Sequence, residues 1–221
     1  MKDSESGTIS SKKILCAIIS HAKSTRRETI RNTWLPLVPP EVDVKFFVGA
    51  QEGELEDDVI NLHCCDHHEG IPDKIREICR WAREREYEFM WKVDDDVQLV
   101  PNRLVRISSP FTAVILPGAI YPSISGFLYG FNREGIEVLS ASDTPYYPDE
   151  YWVADKLGSA GSPCTLISLC GVVHYELQKA FPPYWVVAVH GESVASRSLS
   201  IFKQLNGFEQ PDLRRRLRRK M

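Results

Sequence analysis

Residues 89–97 read FMWKVDDDV, an apolar stretch that runs directly into three consecutive aspartates. A continuous apolar run of this length predicts a strand buried on both faces, here over residues 89–97. Three adjacent carboxylates repel one another, so such a cluster normally persists because a cation or a basic partner offsets the repulsion. Because alternate residues of an extended segment point the same way, Asp94 and Asp96 can face one metal while Asp95 turns toward the interior or a second ligand.

The chemistry of this cluster favours a particular class of metal. Oxygen-only ligands suit Mg²⁺ or Mn²⁺, which typically bind through one or two carboxylates plus substrate phosphates. The competing interpretation is a solvated acidic loop or a helix N-cap cluster. Apolar residues on both sides of the aspartates, including Val97 and Leu99, favour the metal site over that alternative.

Apolar runs alternate with amphipathic runs on both sides of this strand. Further strands are predicted over residues 13–20, 42–48 and 59–65, and helices over residues 26–34, 73–87, 133–142, 148–157 and 193–205, with Gly158 as a C-cap and an apolar run at 165–173. Strands alternating with helices indicate an α/β sheet, in which ligands bind outside the carboxyl ends of the strands. The three aspartates are therefore expected at a ligand-binding edge.

A second pair of carboxylates, Asp149 and Glu150, opens the helix predicted over residues 148–157. One interpretation is helix capping, for which a single acid at this place suffices. The other is a catalytic base, because a carboxylate near an aromatic wall such as Tyr151 and Trp152 can have its pKa raised toward a useful value. The residues alone leave both interpretations open.

Charge and the absence of several motifs exclude other classes of protein. The chain has 27 basic and 30 acidic residues in 221, and six of the basic ones lie in the last eight positions, so the body is acidic and the tail basic. An acidic body argues against general nucleic-acid binding. No GxGxxG, GxxxxGK[ST], GxSxG or HExxH motif occurs, which excludes the commonest dinucleotide, P-loop, hydrolase and zincin sites. The six cysteines show no metal-binding spacing and are expected to be small buried thiols.

Four blocks of the sequence, taken in order, resemble the β1,3-glycosyltransferase family of galactosyl-, N-acetylglucosaminyl- and Fringe-type enzymes, glycosyltransferase family 31. They are RRETIRNTW at 26–34, DVKFFVGA at 43–50, KVDDDV at 92–97 and YPSISGFLYG at 121–130. PDEYWVA at 148–154 and VVAVHGES at 186–193 are similar to two further family segments, although the acidic pair is inverted and Ala154 stands where the family has Gly. The stretch between Val97 and Tyr121 is shorter than is usual in the family.

The resemblance implies a GT-A fold, with a Rossmann-like mixed sheet flanked by helices, and an inverting, metal-dependent hexosyltransferase. It implies a UDP-sugar donor, a glycan acceptor and Mn²⁺ or Mg²⁺ as the cofactor. The acidic pair maps the catalytic base to Glu150, with Asp149 as the alternative. The implied metal ligands are Asp94, Asp96 and His190, with His174 the weaker candidate, and the implied donor contacts are Arg27, Arg31, Lys74, Asp94, Asp95 and Gly126.

Further expectations concern the extent of the domain and whether the chain crosses a membrane. A polar leader is expected over residues 1–11, one domain over 12–206 and a basic tail over 207–221. Family members are Golgi membrane proteins, but no apolar run approaches the roughly 18–20 residues that cross a bilayer, so the chain is expected to be soluble.

A metal-dependent phosphohydrolase and a non-catalytic carbohydrate-binding relative are the two rival functions. For Arg27 and Arg31, holding the loop around the nucleotide or surface ion pairing are the alternatives to direct nucleotide contact.

Overall fold

A computed structural model of the chain describes residues 13–50, 53–104, 109–115, 124–144, 148–162, 164–167, 172–174 and 188–190. The strands are β1 Ile14–Ile19, β2 Val42–Gly49, β3 Val59–Leu62, β4 Phe89–Asp94, β5 Val97–Leu99, β6 Phe111–Ile115, β7 Ile124–Asn132, β8 Cys164–Ile167, β9 Val172–His174 and β10 Ala188–His190. The helices are α1 Arg26–Arg31, α2 Ile71–Glu84, α3 Pro101–Leu104, α4 Arg133–Ala141 and α5 Asp149–Ser159, with short 3₁₀ turns at Leu35–Leu37 and His68–Gly70.

The described strands form a mixed seven-stranded sheet in the order β3-β2-β1-β4-β7-β6-β8. The first four are parallel, and β7 runs antiparallel to both β4 and β6. Parallel neighbours place the carboxyl ends of β1 and β4 side by side, so Ile19 pairs with Asp94. A second sheet has the order β5-β10-β9. The expected α/β architecture with a mixed sheet and flanking helices is confirmed.

Strand β1 shows why the central strands are apolar throughout. Leu15 and Ala17 belong to a core cluster shared with α2, α4 and α5 on one face of the sheet. Cys16 and Ile18 belong to a second cluster, shared with Ile30 of α1, on the other face. Because both faces are covered, every residue of β1 is buried.

The strand predicted over residues 89–97 is divided, so that prediction was wrong in its extent. Strand β4 ends at Asp94, a turn follows at residues 95–96, and β5 begins at Val97 in the second sheet. The chain turns because Val97 and Leu99 pack into a core cluster with Trp34, whose Nε1 donates to the Val97 carbonyl at 3.2 Å. The acidic segment is therefore a turn between two sheets.

Other boundaries also differ from the predictions. Helix α5 continues through Gly158 to Ser159 and is capped at Ala160, so Gly158 is not the C-cap; the left-handed backbone belongs to Gly161, at φ 82°. The apolar run at 165–173 divides between β8 and β9. Strands β6 and β7 were not predicted, because FTAVI is short and not bounded by a clear pattern and ISGFLYGFN contains two glycines, which are unfavourable in strands. The expected leader 1–11, helix 193–205 and tail 207–221 lie outside the described residues.

Two expectations concern thiols and membranes. Cys16 and Cys79 are buried, Cys64 is half-buried and Cys65 is exposed, and these four thiols are free. Burial raises the pKa of the Cys16 thiol to about 12 and that of Cys64 to about 11, so both stay protonated at neutral pH. Within the described ranges, no helix combines the length and apolar character needed to cross a membrane.

Candidate active site

Asp95 turns into the protein at the carboxyl end of β4. Its carboxylate accepts hydrogen bonds from Ser20 Oγ at 2.8 Å and Ser24 Oγ at 2.6 Å, and it forms an ion pair with Arg26 Nη1 at 3.0 Å. These partners all lie on the loop after β1 and at the start of α1. Asp95 therefore anchors that loop to the acidic turn, and its burial agrees with the expected inward orientation, while its contact with the donor stays a prediction.

Asp94, Asp95 and Asp96 all line a cleft of about 270 Å³ at the same edge of the sheet. Other walls of the cleft come from the loop after β1 and from the start of α2, and they include Ser20, Arg26, Asp66, His67, Ile71 and Lys74. Arg26 Nη1 lies 3.8 Å from Asp96 Oδ2, so one guanidinium faces two of the three aspartates. Three neighbouring carboxylates thus line a cleft that also contains the basic groups of Arg26 and Lys74.

These residues fit a hard divalent cation. The cleft offers carboxylate oxygens, and among the side chains that the structure describes no set of three His, Cys, Asp or Glu groups converges on one point. Such an ion normally completes its coordination with water and substrate phosphate oxygens, so two protein carboxylates suffice. Asp94 and Asp96 are the residues that would hold it.

The two acidic groups of the sequence meet around Lys92, which was not predicted to belong to the site. Lys92 Nζ donates to Asp94 Oδ1 at 2.5 Å and to the Gly126 carbonyl, and it lies 3.9 Å from Asp149 Oδ2. The residue is 1% exposed. Burial alone would lower the pKa of Lys92, but the carboxylates of Asp94, Asp149 and Glu150 outweigh it and raise that pKa, so the ammonium group stays charged.

Asp149 is buried and fully engaged, whereas Glu150 is half-buried. Tyr129 Oη donates to Asp149 Oδ2 at 2.8 Å, and Asp149 itself is 5% exposed. Burial, followed by the neighbouring Asp149 charge, raises the pKa of the Tyr129 phenol well above its usual value, so it remains a donor. Asp149 Oδ2 therefore lies between Tyr129 and Lys92, and the choice between Asp149 and Glu150 as the base stays a prediction.

Burial, and then the adjacent charge of Asp149, raises the pKa of Glu150 above its ordinary value. A Cβ placed on Gly126 would lie 3.3 Å from Glu150 Oε2, so the carboxylate rests against the backbone of β7. The raised pKa that the sequence predicted for a catalytic base is thus present at Glu150, but its causes are burial and Asp149, and Gly126 contributes the space for the carboxylate.

The expected donor contacts on α1 and α2 have other partners in the structure. Arg27 is buried and donates to the carbonyls of His21 at 2.7 Å and Ala22 at 3.1 Å, so it holds the loop after β1. Arg31 forms an ion pair with Asp58 at 2.6 Å and does not line the cleft. These placements match the alternatives of loop support for Arg27 and ion pairing for Arg31.

Lys74 lines the cleft but is 2% exposed. Its Nζ donates to the Ser20 carbonyl at 2.9 Å and to Asp66. Burial by itself would raise the pKa of Asp66, but hydrogen bonds from Lys74 and from the amides of Gly49 and Ala22 lower it below the usual value. Lys74 therefore supports the wall of the cleft through Asp66, a residue that the sequence did not single out.

The two candidate histidines are placed by their backbones. His190 pairs with Val97, the residue directly after Asp96, and with His174 on the other side of β10. The main chain thus brings His190 next to the acidic turn, and His174 lies one strand farther away. The role of His190 or His174 as a third metal ligand stays a prediction.

The sequence contained signals for some of the residues that were missed. Lys92 is two residues before Asp94 on an extended strand, so the two side chains share a face. Arg26 stands in the charged segment that follows β1, at the sheet edge where ligands were expected. Asp66 and Tyr129 depend on contacts between distant segments and had no local signal.

No family model and no curated protein matches this chain. Among solved structures, it is similar to the crystal structure of a glycosyltransferase involved in the glycosylation of the major capsid of PBCV-1. The TM-score is 0.55 at 12% sequence identity, and the match covers 85% of this chain and 98% of that chain. The likeness concerns the fold, and it agrees with the GT-A-type sheet implied by the sequence. Membership of the β1,3-glycosyltransferase family stays a prediction.

Proposed function

We propose that the protein is a metal-dependent inverting glycosyltransferase that moves a hexose from a UDP-sugar to a hydroxyl of a glycan acceptor. Galactose or N-acetylglucosamine is the proposed sugar, and β1,3 the proposed linkage. The observation that carries the proposal is the convergence of Asp94 and Asp149 on Lys92, with Glu150 next to Asp149, beside a cleft that also contains Asp96. The fold shared with a known glycosyltransferase supports it.

Different residues of the chain have different roles in the proposed reaction. Glu150 accepts the proton of the acceptor hydroxyl, and its raised pKa makes it a stronger base than an ordinary carboxylate. Lys92 fixes Asp94 on one side and neutralises the charge of Asp149 on the other. A divalent cation, when bound at Asp94 and Asp96, supplies charge that offsets the negative charge developing on the leaving UDP.

The first test is release of UDP from a panel of UDP-sugars, with Mn²⁺, with Mg²⁺ and with chelator. We expect release only with a divalent cation, and the panel identifies the sugar. Release of UMP and a hexose 1-phosphate in place of UDP would instead indicate a phosphohydrolase, because the P–O–P bond and not the sugar–phosphate bond would then be broken by water. If calorimetry shows no affinity for UDP that depends on the metal, the result would favour the rival function of a non-catalytic carbohydrate-binding relative.

Asp96→Asn tests the metal assignment. The substitution keeps the size of the side chain but removes its charge, and we expect UDP release to fall by about 100-fold or more. Asp57→Asn, at an exposed aspartate before β3, is the matched control and should retain activity. Full activity in Asp96→Asn at limiting Mn²⁺ would remove Asp96 from the metal site.

A further inference from the structure

A groove beside α5 is separate from the cleft that contains Asp94–Asp96. It encloses about 410 Å³, and its lining includes Asp143, Thr144, Pro148, Tyr151, Asp155 and Lys156. Residues 148, 151, 152 and 155 recur with helical spacing, so one face of α5 forms one wall. Asp143 and Thr144, which follow α4, form the other.

Tyr151 is the feature of this groove that points to a ligand. It is 55% exposed, and among the residues whose burial is described it is the one large hydrophobic side chain that is exposed. A single exposed ring is ordinary in itself. This ring, however, lines a concave surface next to carboxylate, hydroxyl and ammonium groups, which is the composition of a small-molecule site.

Trp152 shows that the groove is built on a rigid wall. Its indole is 4% exposed, and Nε1 donates to the Asp143 carbonyl at 3.0 Å, which ties the start of α5 to the end of α4. The neighbouring Tyr151 ring, in contrast, is exposed and does not pack into the core. The wall is therefore fixed by Trp152, and the ring of Tyr151 is left for contact with a ligand.

The position of the groove relates it to the proposed reaction. Thr144 Oγ1 donates to Asp73 Oδ1 at 2.6 Å, in the first turn of α2. Ile71 and Lys74 of the same turn line the acidic cleft. The groove and the cleft thus lie on either side of the start of α2. Glu150, the candidate base, directly precedes Tyr151 in α5.

We propose that this groove is the acceptor subsite and binds an uncharged hexose unit of a glycan, with one face of the pyranose stacked on Tyr151. The apolar face of a sugar ring matches an aromatic ring, and its hydroxyls match the carboxylates of Asp143 and Asp155 and the ammonium group of Lys156. Two carboxylates against one lysine disfavour an anionic sugar. The inference rests on the proposed function and adds to it the class of the acceptor and the residues that select it.

The decisive experiment compares Tyr151→Ala and Tyr151→Phe with the wild-type protein. We expect Tyr151→Ala to raise the acceptor KM by about tenfold, with a much smaller change in the donor KM, because stacking is lost at one subsite. Tyr151→Phe keeps the ring and should restore the acceptor KM to within about twofold. An unchanged acceptor KM in Tyr151→Ala would overturn the subsite.

A charge variant and a binding measurement separate this proposal from the general function. Asp155→Asn should raise the KM for a neutral acceptor, while Glu134→Gln, which removes an exposed carboxylate from α4, should not. Binding of neutral oligosaccharides, followed by ligand-observed NMR without donor, should weaken in Tyr151→Ala. If donor cleavage occurs but Tyr151 has no effect on acceptor binding, the subsite is wrong and the function stands. If no donor is cleaved, the proposed function fails whatever the sugar-binding result.

Discussion

A Glu150→Gln variant is expected to bind the UDP-sugar with the affinity of the wild-type protein and to transfer sugar about 100- to 10,000-fold more slowly. Glutamine preserves the shape of the side chain but cannot accept the acceptor proton, and general-base catalysis contributes a factor of that size. The check is single-turnover transfer, combined with calorimetry of UDP binding in the presence of Mn²⁺.

Asp149→Asn distinguishes the two acids that the sequence left as alternatives. Asp149 is engaged by Tyr129 and Lys92, so its replacement should lower the melting temperature more than Glu150→Gln does. Turnover should survive better in the folded Asp149→Asn protein. Normal transfer by Glu150→Gln together with lost transfer by a folded Asp149→Asn protein would assign the base to Asp149.

The raised pKa of Glu150 also gives the transfer reaction a pH dependence of defined sign. The base must be deprotonated, so kcat/KM should fall as pH decreases through the pKa of Glu150. Because burial and Asp149 raise that pKa, the fall should occur above the ordinary glutamate value of 4.5. A pH profile of kcat/KM over about pH 4 to 8 measures it, and a midpoint below 4.5 would contradict the assignment.

Lys92→Met is expected to destabilise the protein by about 3–5 kcal/mol, because Asp94 and Asp149 lose the cation between them. For a chain of this size, that loss corresponds to a decrease in melting temperature on the order of 10 °C. Thermal unfolding, monitored by circular dichroism, provides the measurement. The matched control is Lys45→Met in β2, where the lysine donates to a backbone carbonyl at the surface and should contribute about 0.5 kcal/mol or less.

A double variant keeps this prediction testable if Lys92→Met folds poorly. Lys92→Met combined with Asp94→Asn removes one of the uncompensated charges, so it should be more stable than Lys92→Met alone. Equal stability of Lys92→Met and the wild-type protein would show that the ion pairs around Lys92 do not hold the site together. Equal stability of the double variant and Lys92→Met would show that Asp94 is not coupled to the lysine.

Local sequence patterns predicted β1 to β4 and helices α1, α2, α4 and α5, but not β6 or β7, and they extended the strand that carries Asp94 too far, to residue 97. Residues 14–19 and 89–91 are apolar because their strands are covered on both faces, and that burial is recorded locally in the residue types. Period-two geometry predicted that Asp95 would turn inward, and Asp95 is buried, but residues 95–96 form a turn and not a strand, so all three aspartates line the same cleft. Helix α2 was predicted because its apolar stripe is a local pattern in the sequence.

The tertiary structure alone decided which of these residues act together. Asp94 and Asp149 are far apart in sequence, and only the pairing of β4 with β7 places Lys92 and Tyr129 between them. The ion pair between Arg31 and Asp58 also joins segments that are distant in sequence, as does the hydrogen bond between Asp95 and Ser20 in the loop after β1. Side-chain type and spacing indicate strands, helices and candidate charged residues. A buried charge, however, requires a partner of opposite charge, and the order of the strands in the sheet decides which partner is near.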